Sequence, residues 1–420
     1  MLSIQQVQTL LAQTPSLKVS SIAINLDDAL NYRIAEPLVA QHNVPPAANS
    51  AMDGYALNLE DLKRNHFQLP ISQRITAGCA PLPLQKNTCA RIFTGAMIPE
   101  GADTVIMQEN TTMTDNGILF DPNKAYIAAD NIRPKGQDIT LGSSLATTGT
   151  KITPALLGLL ASQGFATINV QAPLKIALLS TGNEIVAPGT PLKTGQIYNS
   201  NRYSVGSLLK QWGQVELSYL DVADTFEDTC QALKSAAQTH DLVISFGGVS
   251  VGEEDHVKDA VAALGHVEHW KVKLKPGKPL MIGRLNITPS VEPNNMSSQV
   301  ACSTSKSVPI LGLPGNPVSA FVTFLLFAKP LLTALTGGTF TPASPIQAPI
   351  HFAVSRPKKR PEYLRVTTTD GQLTPCNNQS SGVLSSLYAC DGLAFIPEET
   401  LLHHGDSVDY YPLEVLMSRA

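Results

Sequence analysis

The chain has 420 residues, too many for one compact core, so two to four domains are the natural expectation. Its apolar fraction of 43% is ordinary for a soluble globular protein, and 30 prolines with 29 glycines speak for turns and short strands rather than a helical bundle. A net charge of -4 gives no general attraction for nucleic acid, so an anionic ligand must be held by local cations, backbone amides or a metal.

The chain opens with MLSIQQVQTLLAQTP, where Leu2, Ile4, Val7, Leu10 and Leu11 stand among polar residues. This is an amphipathic helix without the basic start and apolar block of a signal peptide. From Pro70 to about Leu145 short β-type runs alternate with turns: Arg91–Phe93, Thr104–Gln108, Gly117–Phe120 and Tyr126–Ile127. Thr153-Pro154 predicts a helix that runs through Leu156–Leu160 to Gly164.

The texture changes at Leu174. An apolar strand Leu174–Leu179 leads to the turn Ser180-Thr181-Gly182-Asn183. A helix at Arg202–Trp212, a strand at Val215–Leu220, a helix at Phe226–Ala237, a strand at Leu242–Phe246 and a helix at Asp255–Leu264 follow. Such alternation means βαβ units and a largely parallel sheet. Strand Ile310–Leu313 and a long helix close the block, with Asn316 placed to cap and Pro317 in the first turn. The most apolar stretch, Phe321–Phe327, is interrupted by Lys329 and Pro330, too soon to span a bilayer. Between Asn286 and Lys306 the polar sequence has no period and reads as a surface loop. Strand-like runs return at His351–Val354, Tyr363–Thr367, Gly392–Ile396 and Val408–Tyr411, suggesting a barrel or sandwich. The six cysteines (Cys79, Cys89, Cys230, Cys302, Cys376, Cys390) form no C-x-x-C pair, which fits a reducing cytoplasm better than a zinc site or disulfide framework.

Four groups of residues carry chemical meaning. In DLVISFGGVSVGEEDHVK, a buried strand meets Gly247, Gly248, Ser250 and Gly252 before a helix start bearing Asp255. Glycines admit a ligand close to the backbone, and a helix N-terminus favours an anion. A plain strand–helix turn with a capping acid fits the same pattern. In WKVKLKPGKP, alternation puts Lys271, Lys273 and Lys275 on one strand face, while Lys275 and Lys278 flank a Pro-Gly turn. The two turn lysines can converge on an oxyanion, although alternating lysines usually mark a solvated edge. In LGLPGNPVSA, Pro314 and Pro317 bracket a rigid turn at another strand end, where ligands of open α/β sheets sit; Ser180–Glu184 can line the same crevice. NSAMDGYA with Asp53, RIFTG with Thr94 and NIRPKGQD with Asp138 read singly as turns.

In this order and spacing, NSAMDGYA, RIFTGAMIPEGADTVI, NIRPKGQDI, STGNE, FGGVSVGEEDHVK, KPGKP and LPGNPVSA resemble the signature set of the MoeA-type molybdopterin molybdenumtransferases, the family that includes a domain of gephyrin. The resemblance spans nearly the whole chain. It implies a multidomain α/β plus β fold. Residues 1–22 would form an N-terminal helix on the α/β domain, 23–42 with 143–172 an elongated linker domain, and 43–142 a β domain. A MogA-like three-layer α/β domain would cover 173–336 and a C-terminal β-barrel 337–420. It further implies a homodimer in the cytoplasm, without nucleic acid or membrane, in contact with a MogA-type adenylyltransferase. The reaction would insert molybdenum from molybdate into adenylated molybdopterin and release AMP, with Mg2+.

By motif, Asp53, Thr94, Glu184 and Asp255 would be catalytic, with Asp224, Asp255 and Glu184 at the metal. Asp138, Gly247, Gly248, Ser250, Gly252, Lys275, Lys278, Pro314, Pro317, Ser319, Arg365 and Ser381 would bind substrate, the lysines with Arg365 and Ser381 holding molybdate. Several carboxylates facing a phosphate-rich substrate need a cation between them. Asn183 stands where many members have aspartate. The polar segment after Asn286 looks like an insertion that either hangs over the cleft or, the preferred reading, extends a surface hairpin. A scaffold without turnover is disfavoured by the joint presence of Asp53, Glu184, Asp255, Lys275 and Lys278, and an adenylyltransferase by the extra β segments.

Overall fold

The computed structural model describes residues 1–17, 20–249, 256–287 and 306–418. Its centre is a six-stranded sheet in the order Val215–Val222, Leu174–Thr181, Leu242–Phe246, Lys306–Leu313, Met281–Ile287, Gly265–Trp270. Five of the strands share one direction, and only Met281–Ile287 runs antiparallel to its neighbours. The middle strands are apolar on both faces because helices cover both, as parallel sheets require. Helices Asn201–Trp212 and Pro317–Leu335 pack one face with Leu178, Ile244 and Leu311; Phe226–Thr239 and His256–Leu264 pack the other with Leu179, Val243 and Ile310.

The N-terminal helix Ile4–Ala12 is closed by a capping box, in which Ser3 and Gln6 satisfy each other's backbone amides. It buries Ile4, Val7 and Leu11 in the same core as Leu331 and Leu335. It also supports the long apolar helix chemically. Pro330 has no N–H for the carbonyl four residues before it, and the Gln8 side chain donates to that Leu326 oxygen at 3.1 Å.

This corrects the reading of Phe321–Phe327 as an interrupted stretch. Pro317–Leu335 is one continuous helical run that passes a π turn at Phe324–Ala328. By length and composition it could cross a bilayer, but 94% of its apolar window is buried inside the protein. Two further expectations fail nearby. Asn316 stands at the helix start without a capping side-chain bond. Lys271, Lys273 and Lys275 share no strand, because the strand ends at Trp270 and Lys271 turns the chain with φ of 75°.

Flanking the sheet, Ser21–Asn25 pairs with Thr167–Gln171 and Leu38–Val39 with Ser144–Ala146 over a core of Ile34, Ile152, Leu160 and Val170. Helix Pro154–Ser162 belongs here, capped by Thr153. A β module contains the four-stranded sheet Ile71–Ile75, Cys89–Ile92, Gly54–Leu57, Thr104–Met107 and a three-stranded one around Gly117–Phe120. Tyr126 and Ile127 lie there in a loop rather than a strand; the Tyr126 hydroxyl donates to Asp121 O, and Ile127 O accepts from Thr104.

The C-terminal part is a five-stranded antiparallel sheet of Ile346–Pro349, Ser407–Pro412, Gly392–Ile396, Glu362–Thr369 and Gln372–Pro375, in that spatial order. A bridge between Ile350 and Leu373 draws its edges together, so the sheet curls into a half-barrel around Val366, Ala394 and Val408. His351–Val354, expected as a strand, makes one isolated bridge, from Val354 to Leu402. Asn286, Ile287 and Lys306, assigned to the surface loop, are strand residues: Ile287 pairs with Lys306 and Asn286 with Ser307 across the hairpin. The rest of that loop, 288–305, lies outside the described residues.

Candidate active site

At the carboxyl ends of the parallel strands lies a cleft of about 580 Å³. It is lined by Thr181, Gly182, Glu184, Asp224, Gly247 and Gly248 on one side and Pro314, Gly315 and Pro317 on the other. Strand–turn–helix connections build it, because in such a sheet the turns after the strands collect at one edge. The two glycine turns touch: a Cβ on Gly315 would sit 3.6 Å from Gly247 Cα. Gly247 and Gly248 both have positive φ, at 80° and 65°, which a side chain would strain. The Gly247 amide donates to Leu313 O, so it fastens the two turns instead of serving as a phosphate donor.

Glu184 folds back over its own turn. A Cβ on Gly182 would lie 2.5 Å from Glu184 Oε2, so only glycine permits this carboxylate position. Asp224 faces the same cleft. Asn199 and Asn201, which the motif reading missed, line it too: Asn199 donates to Ser180 Oγ at 2.9 Å and Asn201 to Gly315 O at 2.7 Å. Asn201 Oδ1 is a buried acceptor with no partner among the described residues. Asparagine in a helix start reads from sequence as a cap, which hid this role. Ser250, Gly252 and Asp255 lie outside the described residues.

A cationic corner adjoins the cleft and joins the sheet domain to the half-barrel. Lys275 N donates to Pro361 O at 3.0 Å, and Tyr363 N donates to Lys275 O at 2.8 Å. Lys275 Nζ sits 2.7 Å from Glu362 Oε1, and Lys358 takes the other oxygen. Despite that contact, burial and then the charges of Arg360 and Arg365 hold the Lys275 ammonium below its ordinary value.

Arg365 is fully buried and donates to Asn378 O and Ser380 O at 3.0 and 3.2 Å, while its Nε has no partner among the described residues. Burial lowers its pKa. Ser381 O accepts from Val318 N at 3.0 Å, which ties this loop to the Pro314–Pro317 turn. Lys278 is exposed, beside Pro279 of the cleft wall. Ser319 is buried one turn into the helix and does not line the cleft.

Asp53, Thr94 and Asp138 belong to the β module, and none of them lines this cleft within the chain. Asp53 Oδ1 accepts from the amide and the hydroxyl of Thr94, at 2.8 and 2.7 Å. The Thr94 amide, then its hydroxyl and the Arg91 charge hold the Asp53 carboxyl below its ordinary value. Asp138 is exposed at a turn, its amide donating to Val44 O.

The oxygen donors of Glu184 and Asp224 suit a hard divalent cation. Magnesium needs only one or two protein carboxylates when substrate phosphates and water fill its other positions. Among the described residues no group of three or more His, Cys, Asp or Glu stands together to hold a metal ion.

Comparison with known proteins agrees with this architecture. Residues 2–164 match the family described as MoeA N-terminal region (domain I and II), 177–334 a probable molybdopterin binding domain, and 347–413 the MoeA C-terminal region (domain IV). The molybdopterin molybdenumtransferase of Haemophilus influenzae is 37% identical over 346 residues, covering 80% of this chain and 78% of that one. Molybdopterin molybdenumtransferase 2 of Mycobacterium tuberculosis is 32% identical over 96% of both chains. The crystal structure of a molybdopterin biosynthesis MoeA protein from Pyrococcus horikoshii superposes with a TM-score of 0.76 at 27% identity, covering 98% of each chain. Sheet, half-barrel and relatives agree, and the chain belongs to the MoeA family of molybdopterin molybdenumtransferases.

Proposed function

We propose that the chain inserts molybdenum, delivered as molybdate, into adenylated molybdopterin and releases AMP. The observation that carries this reading is the junction of two chemically different surfaces. A cleft of turns and carboxylates meets a cationic corner through the Pro314–Pro317 turn.

The cleft suits the nucleotide end of the substrate. Gly247 and Gly248 leave the strand end bare for a phosphate, and Gly248 also lets the turn pack on Val257, which a Cβ would meet at 2.4 Å. Glu184 and Asp224, with Asp255, would hold magnesium. Bound there, magnesium would offset phosphate charge and stabilise AMP as it leaves. Asn201 Oδ1 offers an acceptor for a ligand N–H.

The corner suits the metal oxyanion. Lys275 and Lys278 would offer ammonium donors, Arg365 would add the charge of its buried guanidinium behind them, and Ser381 shapes the adjoining loop. Pro314 and Pro317 stiffen the wall between the two surfaces.

Asp53, Thr94 and Asp138 complete the cleft from a second copy, which makes a homodimer the active form. Within one copy these residues stay outside the cleft, and Asp53 is already held ionised by Thr94. The setting is the cytoplasm, with substrate arriving from a MogA-type adenylyltransferase. The five described cysteines are all unpaired, which fits a reducing compartment.

The test is direct. Purified full-length protein with adenylated molybdopterin, molybdate and magnesium is expected to release AMP. Absence of release under those conditions would sink the assignment, and a monomer by analytical ultracentrifugation would sink the shared cleft.

A further inference from the structure

Glu362 carries two lysines at once. It opens the strand Glu362–Thr369, and its side chain is only 3% exposed. Lys275 holds Oε1 at 2.7 Å and Lys358 holds Oε2. The backbone fixes the register, since Lys275 bridges to Glu362 through bonds on either side of it. Arg360 adds a guanidinium that donates to Leu274 O at 3.0 Å, and Arg365 lies close enough to influence Lys275 electrostatically. Two lysines thus hold one buried carboxylate, with Arg360 and Arg365 adding positive charge near Lys275.

One cation would neutralise Glu362, so the second is surplus to that need. The three groups also differ in freedom. The carboxylate is enclosed, whereas the Lys275 and Lys358 side chains are 47% and 38% exposed. A buried carboxylate stripped of its last partner is strongly unfavourable. If Lys275 were its only cation, moving Nζ to a ligand would strand the charge.

Resting on the reading that Lys275 binds molybdate, we propose that Lys358 and Glu362 are positioning residues that make Lys275 transferable. Glu362 parks the Lys275 ammonium at the mouth of the corner while no oxyanion is bound. When the tetrahedral dianion arrives, Lys275 Nζ turns to it and Lys358 keeps Glu362 neutralised. The exchange moves no proton and breaks no covalent bond.

The experiment measures molybdate binding to the full-length protein by isothermal titration calorimetry, together with KM for molybdate and for adenylated molybdopterin. K358M is expected to weaken molybdate binding and raise its KM roughly tenfold, a usual size for coupling between neighbouring sites. KM for adenylated molybdopterin stays unchanged. K358R should retain wild-type binding. The double variant K358M/E362Q should recover to within about threefold of wild type, because the neutral amide that replaces the carboxylate no longer needs a cation. A purely structural role for Lys358 predicts no such recovery.

K275A separates the two levels of the claim. If K275A binds molybdate normally, the reading of Lys275 fails. If K275A loses molybdate while K358M binds as wild type, or the double variant is no better than K358M, the transfer device fails and the Lys275 reading stands. Should K358M not fold, K358Q and the double variant, which contains no stranded charge, carry the same comparison.

Discussion

Asp53 and Thr94 are joined twice: one carboxylate oxygen, Oδ1, accepts both the amide and the hydroxyl of Thr94, at 2.8 and 2.7 Å. The pairing of Gly54 with Ile92 in adjacent antiparallel strands sets this up, since Asp53 precedes one strand and Thr94 follows the other. Gly95, with φ of 81°, lets the chain turn there while its amide bonds to Ser50 O.

A pH dependence follows. The Thr94 donors hold the Asp53 carboxyl below its ordinary value, so Asp53 stays ionised further into acid. Thr94→Val removes the hydroxyl donor and returns the carboxyl towards its usual range. The acid limb of kcat/KM for molybdenum transfer is therefore expected to move to higher pH. A profile identical to wild type would show that Thr94 does not set the charge of Asp53.

Gly182 is predicted to be intolerant of substitution. In Gly182→Ala the new Cβ meets Glu184 Oε2 at 2.5 Å, at a backbone φ of 129°. The strained backbone costs about 1–3 kcal/mol. Displacement of Glu184 should lower kcat/KM roughly tenfold, about 1.4 kcal/mol in the barrier. Thermal denaturation and AMP release measure the two effects separately, and full activity would remove Glu184 from the site.

Asp224 offers a test of cation binding. Asp224→Asn keeps the size of a side chain that faces the cleft and removes its charge. The magnesium concentration for half-maximal rate is expected to rise roughly tenfold, because hard cations depend on ligand charge. An unchanged magnesium dependence would leave the cation to Glu184 and Asp255.

The contact between Gln8 and Leu326 predicts a stability effect far from the site. Gln8→Ala leaves the Leu326 carbonyl without its side-chain donor in a buried helix. The loss should be about 1 kcal/mol in urea denaturation, the usual net value of one hydrogen bond. No change would mean that the carbonyl finds another donor.

Much of the fold was legible because hydrophobic period and turn residues are local. Strand Leu242–Phe246 and helix Phe226–Thr239 follow from runs of apolar residues between polar turns, and Thr153-Pro154 marks a helix start by cap and ring geometry alone. Tyr126–Ile127 and His351–Val354 misled for the opposite reason. Tyr126, Phe352 and Val354 pack against the cores from loops while Ile127 stays exposed, and periodicity does not distinguish such loop residues from a strand. Pro330 misled because its missing N–H is compensated by Gln8, more than three hundred positions earlier.

The sequence by itself determined the alternation of strands and helices, the glycine turns and the ordered motifs that mark the family, all properties of short segments. The tertiary structure decided which segments meet. It set Lys275 against Glu362 and Ser381 against Val318, and it kept Asp53 out of the cleft within one chain. Glu362 shows the difference most clearly. Among Lys358, Lys359, Arg360 and Arg365 it reads as one acid in a solvated basic run. Burial is what turns it into the shared partner of two lysines, and burial is set by contacts between distant segments.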